Sequence, residues 1–78
     1  MTTVITQNPD RPEDIRAIAY GIAQAKTWVA DWPEDRLRLR SLAGLSDGWA
    51  AWHRARGDRF GWLAARSAAD RLRFEVGT

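Results

Sequence analysis

The residues able to do acid–base, nucleophilic or metal chemistry are few in this chain and poorly spaced for it. His53 is the single histidine, and the sequence contains no cysteine. Nucleophilic catalysis needs a nucleophile, a base and an orienting carboxylate within hydrogen-bonding reach of one another. Ser46 and Asp47 precede His53 by seven and six residues, about two helical turns or roughly 10 Å along a helix, which is beyond hydrogen-bonding reach. The sequence therefore predicts no catalytic residue, no metal site and no cofactor, and we expect a protein that is not an enzyme.

Tryptophan and arginine are the residue types that point to a function. The chain has five tryptophans, and arginine outnumbers lysine eleven to one. Both types dominate the energetics of protein interfaces. On the last predicted helix, Arg59, Trp62, Arg66 and Arg73 share one stripe that is turned away from the apolar stripe. We predict that these four residues form a partner-binding surface together with Tyr20, which points away from the apolar face of an earlier helix.

An exposed Trp62 has three interpretations, and the sequence leaves all of them open. The indole can anchor a protein interface, which is the interpretation that we favour. It can instead stack on a nucleobase while the arginines contact phosphates. In the third interpretation Arg59 or Arg66 covers the ring in a cation–π contact, and the surface binds nothing.

The elements that position these residues follow from proline, glycine and apolar periodicity. Pro12 and Pro33 are each followed by two carboxylates, which favour the positive end of a helix dipole. This position explains the paired carboxylates without any catalytic role. The pattern predicts a first helix over residues 12–30 and a short second helix over 33–43, which ends at Gly44 as a C′ residue.

One apolar stripe predicts a long third helix. Its members fall in phase on a helical wheel: Leu45, Trp49, Trp52, Arg56, Phe60, Leu63, Ser67 and Phe74. Ser46 is the expected N-cap. Because the phase does not reset at Gly57, we predict one helix over 46–74, with a break at Gly57 and a fourth helix as the alternative. Trp49, Trp52 and Phe60 are expected in the core, and Trp28 and Trp32 are expected to close the end near the first turn.

A second fold remains open. Residues 36–40 alternate arginine and leucine with a period of two, which is typical of a half-buried strand. The alternative is therefore an α+β fold with short strands at 3–6, 36–40 and 71–76. In either case residues 1–11 are predicted to be an N-terminal tail, and residues 12–78 a single domain.

Nucleic acid is the alternative partner. Residues 37–56 combine two predicted helices around Gly44, as in a helix-turn-helix, with Arg54 and Arg56 as candidate nucleic-acid contacts. The net charge of +2 is small for a nonspecific nucleic-acid binder, and Asp47 would repel phosphate. We therefore place this DNA-binding regulator second.

The sequence as a whole favours a small all-α domain of three helices. We predict a non-enzymatic accessory or inhibitory protein, of the kind common in phages and mobile elements, that binds a macromolecule and most simply a protein. The N-terminus lacks the features of a signal peptide, and no apolar run reaches the ~20 residues that span a bilayer. We expect a cytoplasmic protein with no membrane contact. A cysteine-free chain this short has few means of stabilisation, so self-association stays open.

Overall fold

The computed structural model describes residues 11–77, which form three α-helices and contain no strand. Helix α1 spans Pro12–Asp31, α2 spans Arg36–Ala55 and α3 spans Arg59–Val76. The all-α prediction is confirmed. The α+β alternative is wrong at 36–40 and 71–76, because both segments are helical, whereas the proposed strand at 3–6 lies outside the described residues. The alternation at 36–40 misleads because helical geometry buries Leu39 while Leu37 stays exposed.

The sequence predicts that the second helix ends at Gly44, but α2 does not end there. The Asp35 carboxylate caps its start by accepting a hydrogen bond from the Arg38 N–H at 3.1 Å. The helix then continues through Gly44 to Ala55. Ser46, expected as an N-cap, is buried on the inner face instead. A helical glycine costs about 1 kcal/mol relative to alanine, and the continuous packed face of α2 offsets this cost.

The predicted long helix over 46–74 is also wrong, because the chain reverses at Gly57. Gly57 adopts a φ of 75°, in the left-handed region that favours glycine. The Asp58 carboxylate then caps α3 by accepting a hydrogen bond from the Gly61 N–H at 2.9 Å. The break at Gly57 was the alternative interpretation, but no fourth helix results within residues 11–77, because Gly44 is not a break.

Helix α3 lies between the other two and packs against both, whereas α1 and α2 hardly touch each other. Small side chains build the two interfaces: Ala17, Gly21, Ala25, Ala43, Ala50, Ala64, Ala68 and Ala69. The backbones approach closely as a result. A Cβ atom on Gly21 would lie 2.1 Å from the carbonyl oxygen of Ala64.

The core is correspondingly thin, and the large aromatic side chains lie outside it. Its bulkier members, Leu39, Leu72 and Val76, cluster at the end where α1 joins α2, and Trp28 packs against them as expected. Trp49, Trp52 and Phe60 were predicted to be core, but they are 48%, 56% and 45% exposed. The reason is steric, since interfaces held together by alanine leave no room for indole rings.

Candidate functional site

An apolar groove runs between α1 and α2 and has a volume of about 590 Å³. Its floor is the small-residue face of α3, which includes Gly61, Ala64 and Ala68. Its walls carry the aromatic side chains Tyr20, Trp28, Trp49, Trp52 and Phe60. We call this feature the aromatic groove. It exists because α1 and α2 each pack on α3 without packing on each other.

Helix α2 carries an apolar row with the spacing of a coiled-coil seam, and Trp49 and Trp52 of this row line the groove. Leu42, Leu45, Trp49 and Trp52 follow one another at steps of three, four and three residues. Such steps align side chains into one strip that inserts between the side chains of a facing helix. Leu42 is half-buried and the other three are exposed, so the strip has no facing helix within residues 11–77.

The α1 wall consists of side chains one helical turn apart. Tyr20, Gln24 and Trp28 all line the aromatic groove. The rings of Tyr20 and Phe60 are 6.3 Å apart between centroids and tilted by 57°, a favourable aromatic geometry. Tyr20 was predicted as a partner contact on the outer side of α1. The structure places it at the groove, apart from the other predicted contact residues.

His53 lies at the end of the groove and is held by neighbouring groups. Its Nδ1 lies 3.1 Å from Oδ2 of Asp58, and its ring packs edge-on against Trp52 at 5.1 Å. A Cβ atom on Gly61 would fall 2.5 Å from that Nδ1, so the glycine makes space for the imidazole. No three His, Cys, Asp or Glu side chains within residues 11–77 are grouped to hold a metal ion.

The predicted surface around Trp62 is largely occupied by contacts within the chain. Trp62 is half-buried, and the guanidinium groups of Arg54 and Arg59 lie 5.3 and 5.9 Å from its ring centroid. Arg66 pairs with Asp70 at 3.5 Å. Arg59 therefore covers the indole, as in the third interpretation of this residue. Binding of a partner here remains a prediction.

Two ion pairs tie the outer helices to α3. Arg59 donates two hydrogen bonds to the buried carboxylate of Asp14, at 2.9 and 3.1 Å, and thereby holds the pKa of Asp14 below its ordinary value. Arg73 binds Asp47 in the same way, which lowers the pKa of Asp47 and raises that of Arg73. Two of the arginines predicted to bind a partner thus hold the fold together.

The proposed helix-turn-helix lacks its turn, because residues 37–56 lie within one helix and its C-cap. Arg54 and Arg56, the candidate nucleic-acid contacts, stack over Trp62 and Trp52 at 5.3 and 4.6 Å. The groove was missed because the stripe that contains Trp49 and Trp52 was interpreted as core. Its coiled-coil spacing was the available signal, since such a seam belongs to helix–helix contacts between chains as readily as within one.

Comparison with protein-family models, curated proteins and solved structures found no match to this chain. No helix within residues 11–77 combines the length and apolar character needed to cross a lipid bilayer. The floor and walls of the aromatic groove carry no charge except at the His53–Asp58 end.

Proposed function

We propose that this protein is a non-enzymatic accessory or inhibitory protein that binds an apolar helix of a protein partner in the aromatic groove. The observation that carries the proposal is the exposure of Trp49 and Trp52 over a core built largely of alanine. With Tyr20 and Phe60, they leave roughly 400 Å² of aromatic surface uncovered, at about 200 Å² for each ring system. Contiguous apolar patches of this size on a small protein mark interaction sites.

A helix is the occupant that the architecture favours. The three helices occupy three corners of a four-helix bundle: α3 neighbours both others, and α1 and α2 lie across the diagonal. The aromatic groove is the fourth corner. A helix at this position meets the seam of α2 on one side and the wall of α1 on the other, at the 8–10 Å spacing usual for packed helices.

The charges near the groove support a protein rather than a nucleic acid as partner. The groove walls are apolar, whereas nucleic-acid sites need unpaired cations aligned with phosphates. The arginines on the opposite face of α3, Arg59, Arg66 and Arg73, form ion pairs with carboxylates of the same chain. A partner that enters the groove therefore needs an apolar face, and no anionic backbone is accommodated there.

Site-specific photo-cross-linking in cells tests this proposal. A benzophenone amino acid replaces Trp52 in one variant and Phe74 in the other. Phe74 is the matched control because it is more exposed, at 72%, and lies outside the groove. We expect a protein adduct from position 52 and none from position 74. Adducts at both positions, or at neither, would show that the groove is not a specific protein-binding site.

A further inference from the structure

We infer that the helix in the aromatic groove is α2 of a second copy of this chain, so that two copies form a two-fold symmetric dimer. The inference rests on the proposed function and names its partner. In this dimer the two α2 helices lie side by side at the centre, and each fills the groove of the other copy. The six helices then form two rows of three, and the α2 helices occupy the middle positions.

The four sides of α2 carry the first argument. At 100° per residue its side chains divide into four rows, of which one packs on α3: Leu39, Ala43, Ser46 and Ala50. The next row is the groove seam described above, which Arg38 and Arg56 extend at its two ends. The third row consists of Leu37 and small residues: Ser41, Gly44, Gly48, Ala51 and Ala55. Only the fourth row is dominated by charge: Arg36, Arg40, Asp47 and Arg54.

This distribution fits a helix surrounded on three sides, but α3 covers only one of them. The seam row and the small-residue row are exposed apart from the half-buried Leu42. A single foreign helix in the groove would cover the seam row and leave the small-residue row in water. A second copy covers both, because its α2 lies on the seam and its α1 lies on the small-residue row.

The heights of the residues along the bundle match this arrangement. Gly21 lies between Ala64 and Ala68 on α3, and His53 lies beside Gly61. Because α1 runs parallel to α3 and α2 antiparallel to it, Tyr20 and Gly48 lie at about the same height. A two-fold axis parallel to the helices preserves height, so Tyr20 of one copy faces Gly48 of the partner subunit, a large side chain against a small one.

The charges at the ends of the α1 wall are also complementary to the partner. Glu13 and Asp31 lie on the same side of α1 as Tyr20, at its two ends. In the dimer Glu13 is level with Arg56 of the partner subunit, and Asp31 is level with Arg38 of the partner subunit. Both arginines continue the seam row at its ends, so each also lies near its own symmetry mate, and the carboxylates at the same height offset part of that repulsion. Glu13 and Asp31 make no salt bridge within residues 11–77, whereas Arg38 pairs with Asp35 and Arg56 lies over the Trp52 ring. The two carboxylates are therefore the groups available for pairing between copies.

The buried area is sufficient for a stable dimer. Each copy contributes the seam row, the small-residue row and the α1 wall to the interface. A 20-residue helix is about 30 Å long and 10 Å wide, so each row covers roughly 300 Å². Three rows give about 900 Å² per copy, and a standard specific interface buries about 800 Å² per partner.

Disulfide trapping tests the arrangement directly, because the chain contains no cysteine. The two α2 helices run parallel about the two-fold axis, so Leu45 lies near Leu45 of the partner subunit. Leu45→Cys in the full chain should therefore form a disulfide-linked dimer under mild oxidation. Arg40→Cys, on the charged row of the same helix, is the matched control and should remain largely unlinked. Equal linkage of both variants, or no linkage of Leu45→Cys, would overturn the parallel α2 pairing.

The oligomeric state and a charge exchange provide the second test. Sedimentation equilibrium should show a dimer of the wild-type chain. Glu13→Arg and Arg56→Glu should each weaken the dimer by about tenfold, since each replaces two symmetric attractions by repulsions. An equimolar mixture of the two variants should regain dimers, because one of the exchanged pairs is again opposite in charge and the other is native. Glu13 and Arg56 are exposed, so both variants should fold.

The outcomes separate this inference from the proposed function. A chain that stays monomeric at all concentrations, while residue 52 cross-links to a different protein, would overturn the dimer and leave the proposed function intact. A monomeric chain without any adduct at residue 52 would overturn both. An adduct with twice the mass of the chain would support the dimer and identify a second copy as the occupant of the groove.

Discussion

Substituting Gly21 by alanine should destabilise the protein although it improves helix propensity. The added Cβ would lie 2.1 Å from the carbonyl oxygen of Ala64, 2.9 Å from its carbonyl carbon and 3.0 Å from the backbone nitrogen of Ala68. These are backbone atoms within α3, so no side-chain rotation relieves the clash, and α1 must move away from α3. Overpacking costs about 1–3 kcal/mol, and an overlap this close with backbone atoms belongs at the upper end of that range. After the gain of about 1 kcal/mol that alanine has over glycine in a helix, we expect a net loss of about 2 kcal/mol.

Urea unfolding followed by circular dichroism measures this effect, at one fixed protein concentration because self-association shifts apparent stability. Ala19→Gly is the control within the same helix, since Ala19 is exposed. It should cost about 1 kcal/mol and thereby calibrate the propensity term. We expect Gly21→Ala to lower the free energy of unfolding as well. A Gly21→Ala protein as stable as the wild type would refute the close approach of α1 and α3 at this position.

Three further predictions concern buried polar groups and a helix cap. Because Arg59 lowers the pKa of Asp14 below its ordinary 3.8, the pair stabilises the fold fully above that pH and loses its effect as the pH falls through the lowered pKa. Asp14→Asn should therefore shift the urea midpoint strongly at neutral pH and little in strong acid, and an equal shift at both would contradict this. The Ser46 hydroxyl is buried without a hydrogen-bond partner among residues 11–77, so Ser46→Ala should raise the free energy of unfolding by about 1 kcal/mol; a decrease would show that the hydroxyl is satisfied. Asp58→Ala should lower it by about 1 kcal/mol through loss of the cap on Gly61, and an unchanged value would argue against that cap.

Local signals were sufficient for the class of fold and for the bounds of α1. The helix start at Pro12 was predicted from one proline and two carboxylates. Asp58 was recognised as a cap if the chain broke at Gly57, and the structure shows that break. These features depend on interactions within a few residues, which are visible in the sequence. Gly44 was predicted to end a helix and Gly57 to lie within one, and the structure shows the reverse. A glycine permits a turn without requiring one. The side chains packed around a glycine decide whether the helix continues through it or ends there.

The candidate site was only partly visible in the sequence. Tyr20, Trp49 and Trp52 were all singled out, but two of them were assigned to the core and Tyr20 to a surface with Trp62. A helical wheel shows which side chains share a face, and it does not show whether another helix of the same chain covers that face. Arg59 and Arg73 were also singled out, but as contacts to a partner. The carboxylates that they bind, Asp14 and Asp47, lie on other helices, so no local pattern in the sequence pairs them.

The sequence by itself determined that this protein is helical, where its first helix lies, and that aromatic and arginine side chains are its distinctive groups. Only the tertiary structure decided where those groups go. The physical reason is the size of the residues between the helices. Alanine and Gly21 bring α1 and α2 so close to α3 that indole rings cannot enter, and Trp49 and Trp52 are left to line a groove that accepts a further helix.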